Sequence, residues 1–342
     1  MKKVLAWVLC LMLTLGMVSV ASAEFAPVNK DDLKVGFVFI GDVSDKGYTY
    51  AHYQGLLDMQ QNLGLSDDQI LIKTNVSEDS SCETALRELV EAGCQIIFGN
   101  SYGYMNYMAE LADEYPEVIF SHCSGYMSND TNFNNYFGAI YQARYLAGIA
   151  AGLKTQTNKI GFVAAMQTPE VIGGFDAFAL GVQSVNPDAV VYVKYTNSWY
   201  DATLERQTAD ALLDLGCDVI GQHCDTANPQ IAAQERGVWG CGYNADMTVD
   251  APKAHLTAPV WHWGAVYTKE AQEVLDGTWK PEKIFLTMAD GLVDLSPLSE
   301  NCAEGTAEAI EAARAKIVSG EFDVFEGPLY DNQGNQILDE NS

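Results

Sequence analysis

The chain has 342 residues, 48% of them hydrophobic, and a formal net charge of −27 at pH 7. That is room for two domains and apolar material for two cores, which excludes a disordered chain. So strong a negative charge excludes nucleic acid and an anionic membrane surface as partners, because both repel it.

The N-terminal stretch MKKVLAWVLCLMLTLGMVSVASAEF has the form of an export signal. Lys2 and Lys3 are its basic end, Val4 to Val20 its apolar run, and Ala21-Ser22-Ala23 its small-residue cleavage site. We expect a signal peptide over 1–23, cleaved after Ala23, and a mature chain in the periplasm or at the extracellular face of the membrane. Its removal leaves 17 basic against 46 acidic residues, a net of −29. Cys10 lies in the apolar run with no small residues before it, a poor site for a lipid anchor. Seven cysteines follow, and an odd number leaves at least one free thiol where disulfides are permitted. No two stand in CxxC spacing, so neither a metal site nor a cofactor is expected.

The first strand is predicted over 35–40, a short β-rich apolar run between Lys34 and Gly41. A polar loop over 41–47 leads to a helix over 49–62. Strand 69–74, helix 82–92, strand 94–98, helix 102–114 and strand 118–122 follow, with Pro116 closing the third helix. A short strand over 136–140 ends this half. Alternation of this kind predicts a parallel sheet with right-handed crossovers. The helix over 142–154 (QARYLAGIAAGLK) is rich in Ala and Gly, which predicts close packing on a sheet. Next come strand 160–165, helix 174–185, strand 189–195, helix 202–215, strand 217–221, helix 229–236 and strand 238–242. Residues 261–264 are read as a return crossing, followed by helix 266–275, strand 284–288, a turn at Asp290-Gly291 and helix 304–318.

The second run of elements echoes the first. Lys34, Gly36, Phe37 and Val38 match Lys159, Gly161, Phe162 and Val163 at a constant offset of 125 residues. Leu86 to Ser101 echoes Ala209 to Asp225, and Ile119 to Tyr126 echoes Trp239 to Asn244. Cys94 and Cys217 stand at equivalent positions, as do Cys123 and Cys241, and read as small buried side chains. The prediction is an α/β chain of two similar doubly wound parallel-sheet lobes joined by a three-strand hinge. Lobe 1 is placed at 34–140 plus 264–290 and lobe 2 at 141–262 plus 291–337.

Ligands of open α/β sheets sit beyond the carboxyl ends of the strands. Those ends carry Ser44, Asp45 and Tyr48 after the first strand, and Asn100, Ser101 and Tyr102 after the third. The second half brings Phe175, Trp199, Asp225, Asn244 and Asp246, and the return crossing brings Trp263. Rings with carboxylates and amides suit a flat ligand with a polar edge: the rings stack and the polar groups read the edge. Asp225 and Asp246 also suit helix caps or turns, and Trp199 and Trp263 also suit packing at a hinge. The acidic, Arg-poor loops disfavour a phosphorylated ligand. No Walker A, HExxH or EF-hand pattern occurs. His122-Cys123 and His223-Cys224 suggest a thiol nucleophile, but adjacent strand residues face opposite ways. No catalytic residue is assigned.

KVGFVFIGDVSDKGYTYAHYQG, GNSYGY, FGAIYQARYLAGIAAG, DVIGQHCD, GYNADM, WHW and the VFEGPLYDNQG tail resemble the basic membrane protein family over about 34–337. These are substrate-binding proteins of ABC importers, similar to the purine nucleoside receptors. The resemblance implies the type I periplasmic binding protein fold, no enzymatic activity, a monomer, and an ABC permease as membrane partner. It implies a purine base or nucleoside between the lobes, stacked by Tyr48 with Phe175 or Trp199. It maps a ribose-binding carboxylate onto Asp246. Three stretches depart from the nucleoside branch: Asp45-Lys46-Gly47-Tyr48, Gln222-His223-Cys224-Asp225, and Trp261-His262-Trp263, where that branch supplies a lysine. They bring the chain closer to the free-base branch and give Asp225 the role of base-edge acceptor. Alternatives are another flat solute, riboflavin-like or a signalling ligand, and less favourably a nucleoside-processing enzyme.

Overall fold

The computed structural model describes residues 25–331 and 333–339, so the expected export signal, its cleavage point and Cys10 lie outside the described residues. The first half supplies β1 (Val35–Val38), β2 (Ile70–Lys73), β3 (Ile96–Gly99), β4 (Ile119–Cys123) and β5 (Phe133–Gly138). The second half supplies β6 (Lys159–Ala164), β7 (Val190–Tyr195), β8 (Val219–Gln222), β9 (Trp239–Cys241) and β10 (His255–Thr257). The return segments add β11 (Pro259–Trp261), β12 (Lys283–Leu286) and β13 (Val293–Leu295).

Two parallel sheets result. One, the sheet of the first lobe, has the order β12-β5-β4-β3-β1-β2, and the other, that of the second lobe, β10-β9-β8-β6-β7. Strands β1 and β3 are buried along their length, which is why each reads as an unbroken apolar run. The chain crosses between sheets after β5, between β10 and β12, and again after β12. Strands β11 and β13 pair antiparallel in this region. The first crossing abuts the third, with the Ala139 N–H donating to the carbonyl of Leu286, the last residue of β12, at 2.9 Å. The three crossings therefore run side by side as a hinge.

Helix boundaries follow their caps. Helix Tyr48–Leu63 starts where the Asp45 carboxylate accepts from the N–H groups of Gly47, Thr49 and Tyr50, at 2.8, 3.2 and 2.9 Å. It stops at Gly64, whose φ of 59° is left-handed. Helix Pro169–Val185 begins five residues before the predicted start. Thr168 caps it and Pro169 opens its first turn, so Gly173 and Gly174 sit inside the helix rather than before it.

The small residues of helix Ile140–Lys154 pack on the second sheet as expected, Ala147 and Ala151 lying beside Phe162 and Val219, and they have a further use. They admit the neighbouring helix Pro169–Val185 at backbone distance. A Cβ on Gly148 would lie 2.1 Å from the Phe178 carbonyl oxygen, and one on Gly181 1.9 Å from that of Tyr145. Strand β5 starts earlier than predicted because Asn134 and Asn135 interrupt its apolar pattern; both are buried, and donate to Glu270 and to the Met127 carbonyl. All seven cysteines among the described residues are free thiols, six of them buried.

Candidate functional site

The carboxyl ends of the two sheets face one another across a cavity of about 710 Å³. The first lobe lines it with Ser44, Asp45, Tyr48, Asn100, Ser101 and Tyr102. The second adds Glu170, Trp199, Tyr200, His223, Asp225 and Tyr243. Five carboxylates (Asp42, Asp45, Glu78, Glu170 and Asp225) reach the wall, and no Lys or Arg does among the described residues.

Each polar group is held in a defined state. Both oxygens of Asp45 are engaged by the helix cap described above, so its role in the wall is structural first. Asn100 accepts from the Ile40 N–H at 2.9 Å through Oδ1. Its buried Nδ2 is left without a protein partner, a ready donor at the end of β3. Glu78 accepts from the Ser101 hydroxyl at 2.6 Å and the Gly103 N–H at 2.7 Å.

Asp225 is the contact between lobes. Its Oδ1 accepts from Asn244 Nδ2 at 2.8 Å and from the Tyr48 N–H of the opposite lobe at 3.3 Å. Burial first, and then the charges of Asp45 and Glu205, push the Asp225 carboxyl well above the usual carboxylate range. This favours a protonated side chain that donates as well as accepts. His223 Nε2 lies 3.4 Å from Glu170 Oε1. Burial and then the Arg144 guanidinium hold His223 below its ordinary value. Arg144 stands 3.8 Å over the Tyr243 ring and donates to the Gln222 carbonyl at 2.5 Å.

Of the twelve residues read from the sequence, Ser44, Asp45, Tyr48, Asn100, Ser101, Tyr102, Trp199 and Asp225 line the cavity. Four others lie elsewhere. Phe175 turns into the second-lobe core beside Phe162 and Tyr195. Asn244 stands behind Asp225 and orients it. Asp246 is exposed and closes a local turn, accepting from the Thr248 N–H at 2.9 Å and hydroxyl at 2.6 Å. Asn244, with a left-handed φ of 65°, lies two residues before it and bends the chain aside. Trp263 is fully buried, stacked between His52 and Trp261.

Sequence reasoning missed Glu78, Glu170, His223 and Phe137. Glu78 follows β2, whose carboxyl end was legible but was not used. Glu170 lies in the first turn of a helix expected to start later. His223 was weighed as a neighbour of Cys224 and as part of the stretch Gln222 to Asp225, without a ligand role of its own. Gly99-Asn100-Ser101-Tyr102-Gly103 also has the G-x-S-x-G spacing of a hydrolase nucleophile turn. No histidine serves that serine: its hydroxyl donates to the Glu78 carboxylate, and His122 Nε2 meets the Ser101 carbonyl at 2.7 Å rather than the hydroxyl. Cys123 packs against the Tyr48 hydroxyl at 3.3 Å, and burial pushes its thiol up, away from a reactive thiolate.

The profile of the family described as ABC transporter substrate-binding protein PnrA-like matches residues 32–326. A purine-binding protein of Brucella abortus (strain 2308) is 37% identical over 309 residues, 90% of this chain and 87% of its own. A putative ABC transporter glucose-binding protein, TsgA13 of Haloferax volcanii, is 32% identical over 91% of this chain and 79% of its own. Among solved structures, an ABC transporter solute-binding protein from Conexibacter woesei DSM 14684 superposes with a TM-score of 0.72 at 21% identity. That alignment covers 85% of this chain and 98% of the other, and it speaks for the fold alone.

Proposed function

As the chain belongs to the PnrA-like family of ABC transporter substrate-binding proteins, solute binders rather than enzymes, we propose that its cleft takes a purine base or nucleoside for delivery to an ABC permease. The observation that carries this reading is the composition of the wall. Rings from both lobes (Tyr48 and Tyr102, Trp199 and Tyr243) surround a space edged by carboxylates and an unpaired amide donor, with no Lys or Arg among the described residues to meet a phosphate. A purine offers flat faces to the rings, an acceptor for Asn100 Nδ2 and a donor for Asp225 or Glu170. The purine-binding name of the Brucella relative supports the same class. The chain works as an exported monomer, freed of its signal peptide after Ala23. Ligand contacts made only when both lobes touch it draw an open–closed equilibrium toward the closed form.

Calorimetry of ligand-stripped protein with adenine, guanine, adenosine, guanosine and glucose tests this. One-to-one binding of a purine without released product is expected. Binding of glucose but of no purine overturns the ligand, and release of base from a nucleoside overturns the receptor. In the same assay Trp199→Ala is expected to weaken the purine by roughly 1–3 kcal/mol, the scale of base-on-aromatic stacking. Unchanged affinity removes Trp199 from the ligand.

A further inference from the structure

A row of rings runs beneath the cleft from one lobe to the other. Tyr48, at the cleft, meets His52 edge-on at 4.4 Å and 80°. His52 lies flat on Trp263 at 4.4 Å and 7°, and Trp263 flat on Trp261 at 4.4 Å and 14°. Trp261 Nε1 then donates to the Tyr243 hydroxyl at 3.1 Å, and Tyr243 faces the cleft from the second lobe. The middle of the row is buried: His52 and Trp263 are fully covered and Trp261 is 4% exposed.

This row passes through the hinge. Trp261 belongs to β11, paired with β13. Trp263 is clamped from the first lobe, since a Cβ on Gly55 would lie 2.6 Å from its own Cβ. His52 is pinned by Nδ1 against the Tyr267 hydroxyl at 2.5 Å. The single polar joint in the row is therefore the Trp261–Tyr243 bond, where the hinge strand meets the second-lobe wall.

We infer that Trp261 and Trp263 are positioning residues that set the spacing and tilt of Tyr48 and Tyr243, the rings facing the cleft from opposite lobes, in the closed receptor. Stacked planes resist shear because sliding loses contact area and exposes apolar surface. The hydroxyl of Tyr243 is held at one end of the stack while Tyr48 rests on the other. Ring-to-ring distance across the cleft then follows the hinge rather than each side chain's own rotamer. This inference rests on the receptor reading of the cleft but not on the identity of the ligand.

Trp261→Phe keeps a ring in the stack and removes the N–H donor. Tyr243→Phe keeps the cleft ring and removes the acceptor. Each is expected to weaken the purine about tenfold, the scale of one hydrogen bond. The double variant is expected to be no weaker than either single one, with thermal unfolding of the ligand-free proteins within a few degrees of the parent. Losses that multiply in the double variant, or parent-like affinity in either single one, overturn the inference. Should Trp261→Phe not fold, Tyr243→Phe alone decides it: parent-like affinity overturns it. If the parent binds no purine, the ligand reading fails, and small-angle scattering without ligand still tests this one. A larger radius of gyration for Trp261→Phe than for the parent is expected, and identical curves overturn it.

Discussion

Gly47→Val is expected to lower ligand affinity by two orders of magnitude or more while the ligand-free protein unfolds at the parent's temperature. Gly47 is buried in the loop between β1 and the first helix, against the opposite lobe. A Cβ there would lie 2.4 Å from the Cβ of Asp225, 2.6 Å from its carbonyl oxygen and 2.8 Å from its Cα. Its φ of −115° is outside the left-handed region, and Asp225 stands where a side chain would go. Forcing atoms into such a contact costs roughly 1–3 kcal/mol, and more for a branched residue. An open clamp escapes that cost; a closed one bears it. The loss should therefore fall on binding, roughly 3 kcal/mol or about 150-fold. Calorimetry and thermal unfolding read the two quantities separately. Parent-like affinity would mean that the lobes do not meet at Gly47 when the ligand is held.

The second large effect concerns folding. Glu270 is fully buried on helix Gly264–Asp276 and accepts from Ser121 Oγ at 2.8 Å, Asn134 Nδ2 at 3.0 Å and Trp279 Nε1 at 3.0 Å. Glu270→Ala strands these donors and leaves a cavity, with an expected loss of roughly 4 kcal/mol in denaturant unfolding. Burial raises the Glu270 carboxyl from 4.5 to about 7, against the pull of the donors. The folded chain thus holds this proton more firmly than the unfolded one. Its contribution is complete below about pH 4.5 and is lost as pH rises through 7, a swing of about 3 kcal/mol. Buried His122 and His255, both lowered to about 4, act the other way, costing stability as pH falls below 6.5. The difference between parent and Glu270→Gln isolates the carboxyl. It is expected to slope between about pH 4.5 and 7, and a flat difference would show Glu270 to titrate alike in both states.

How far the sequence could be read depended on local signals. Strand β1 announced itself because both faces are buried, and the repeat at Lys159 extended that reading to the second sheet. Strand β10 did not, being three residues long with His255 and Thr257 at its ends. Strand ends located most of the cavity, since topology alone decides which loops converge. Direction within a loop was not legible. Asp246 was expected at the ligand because it follows a strand, yet one left-handed residue sends it to solvent. Trp263 and Phe175 were placed among the rings for a flat ligand; Phe175 lies in a core, and Trp263 takes the hinge packing that was its alternative reading. What an aromatic ring covers is set by the packing of distant segments, and composition does not record it.

The backbone-to-backbone approach of helices Ile140–Lys154 and Pro169–Val185 bears on mechanics as well as packing. Their carbonyls and glycine α-carbons touch at two levels, around Gly148 and Gly181, leaving no side-chain cushion to compress. A lobe braced in this way behaves as a stiff lever. Rotation supplied at its base is then carried by the braced pair as one body rather than absorbed between its helices.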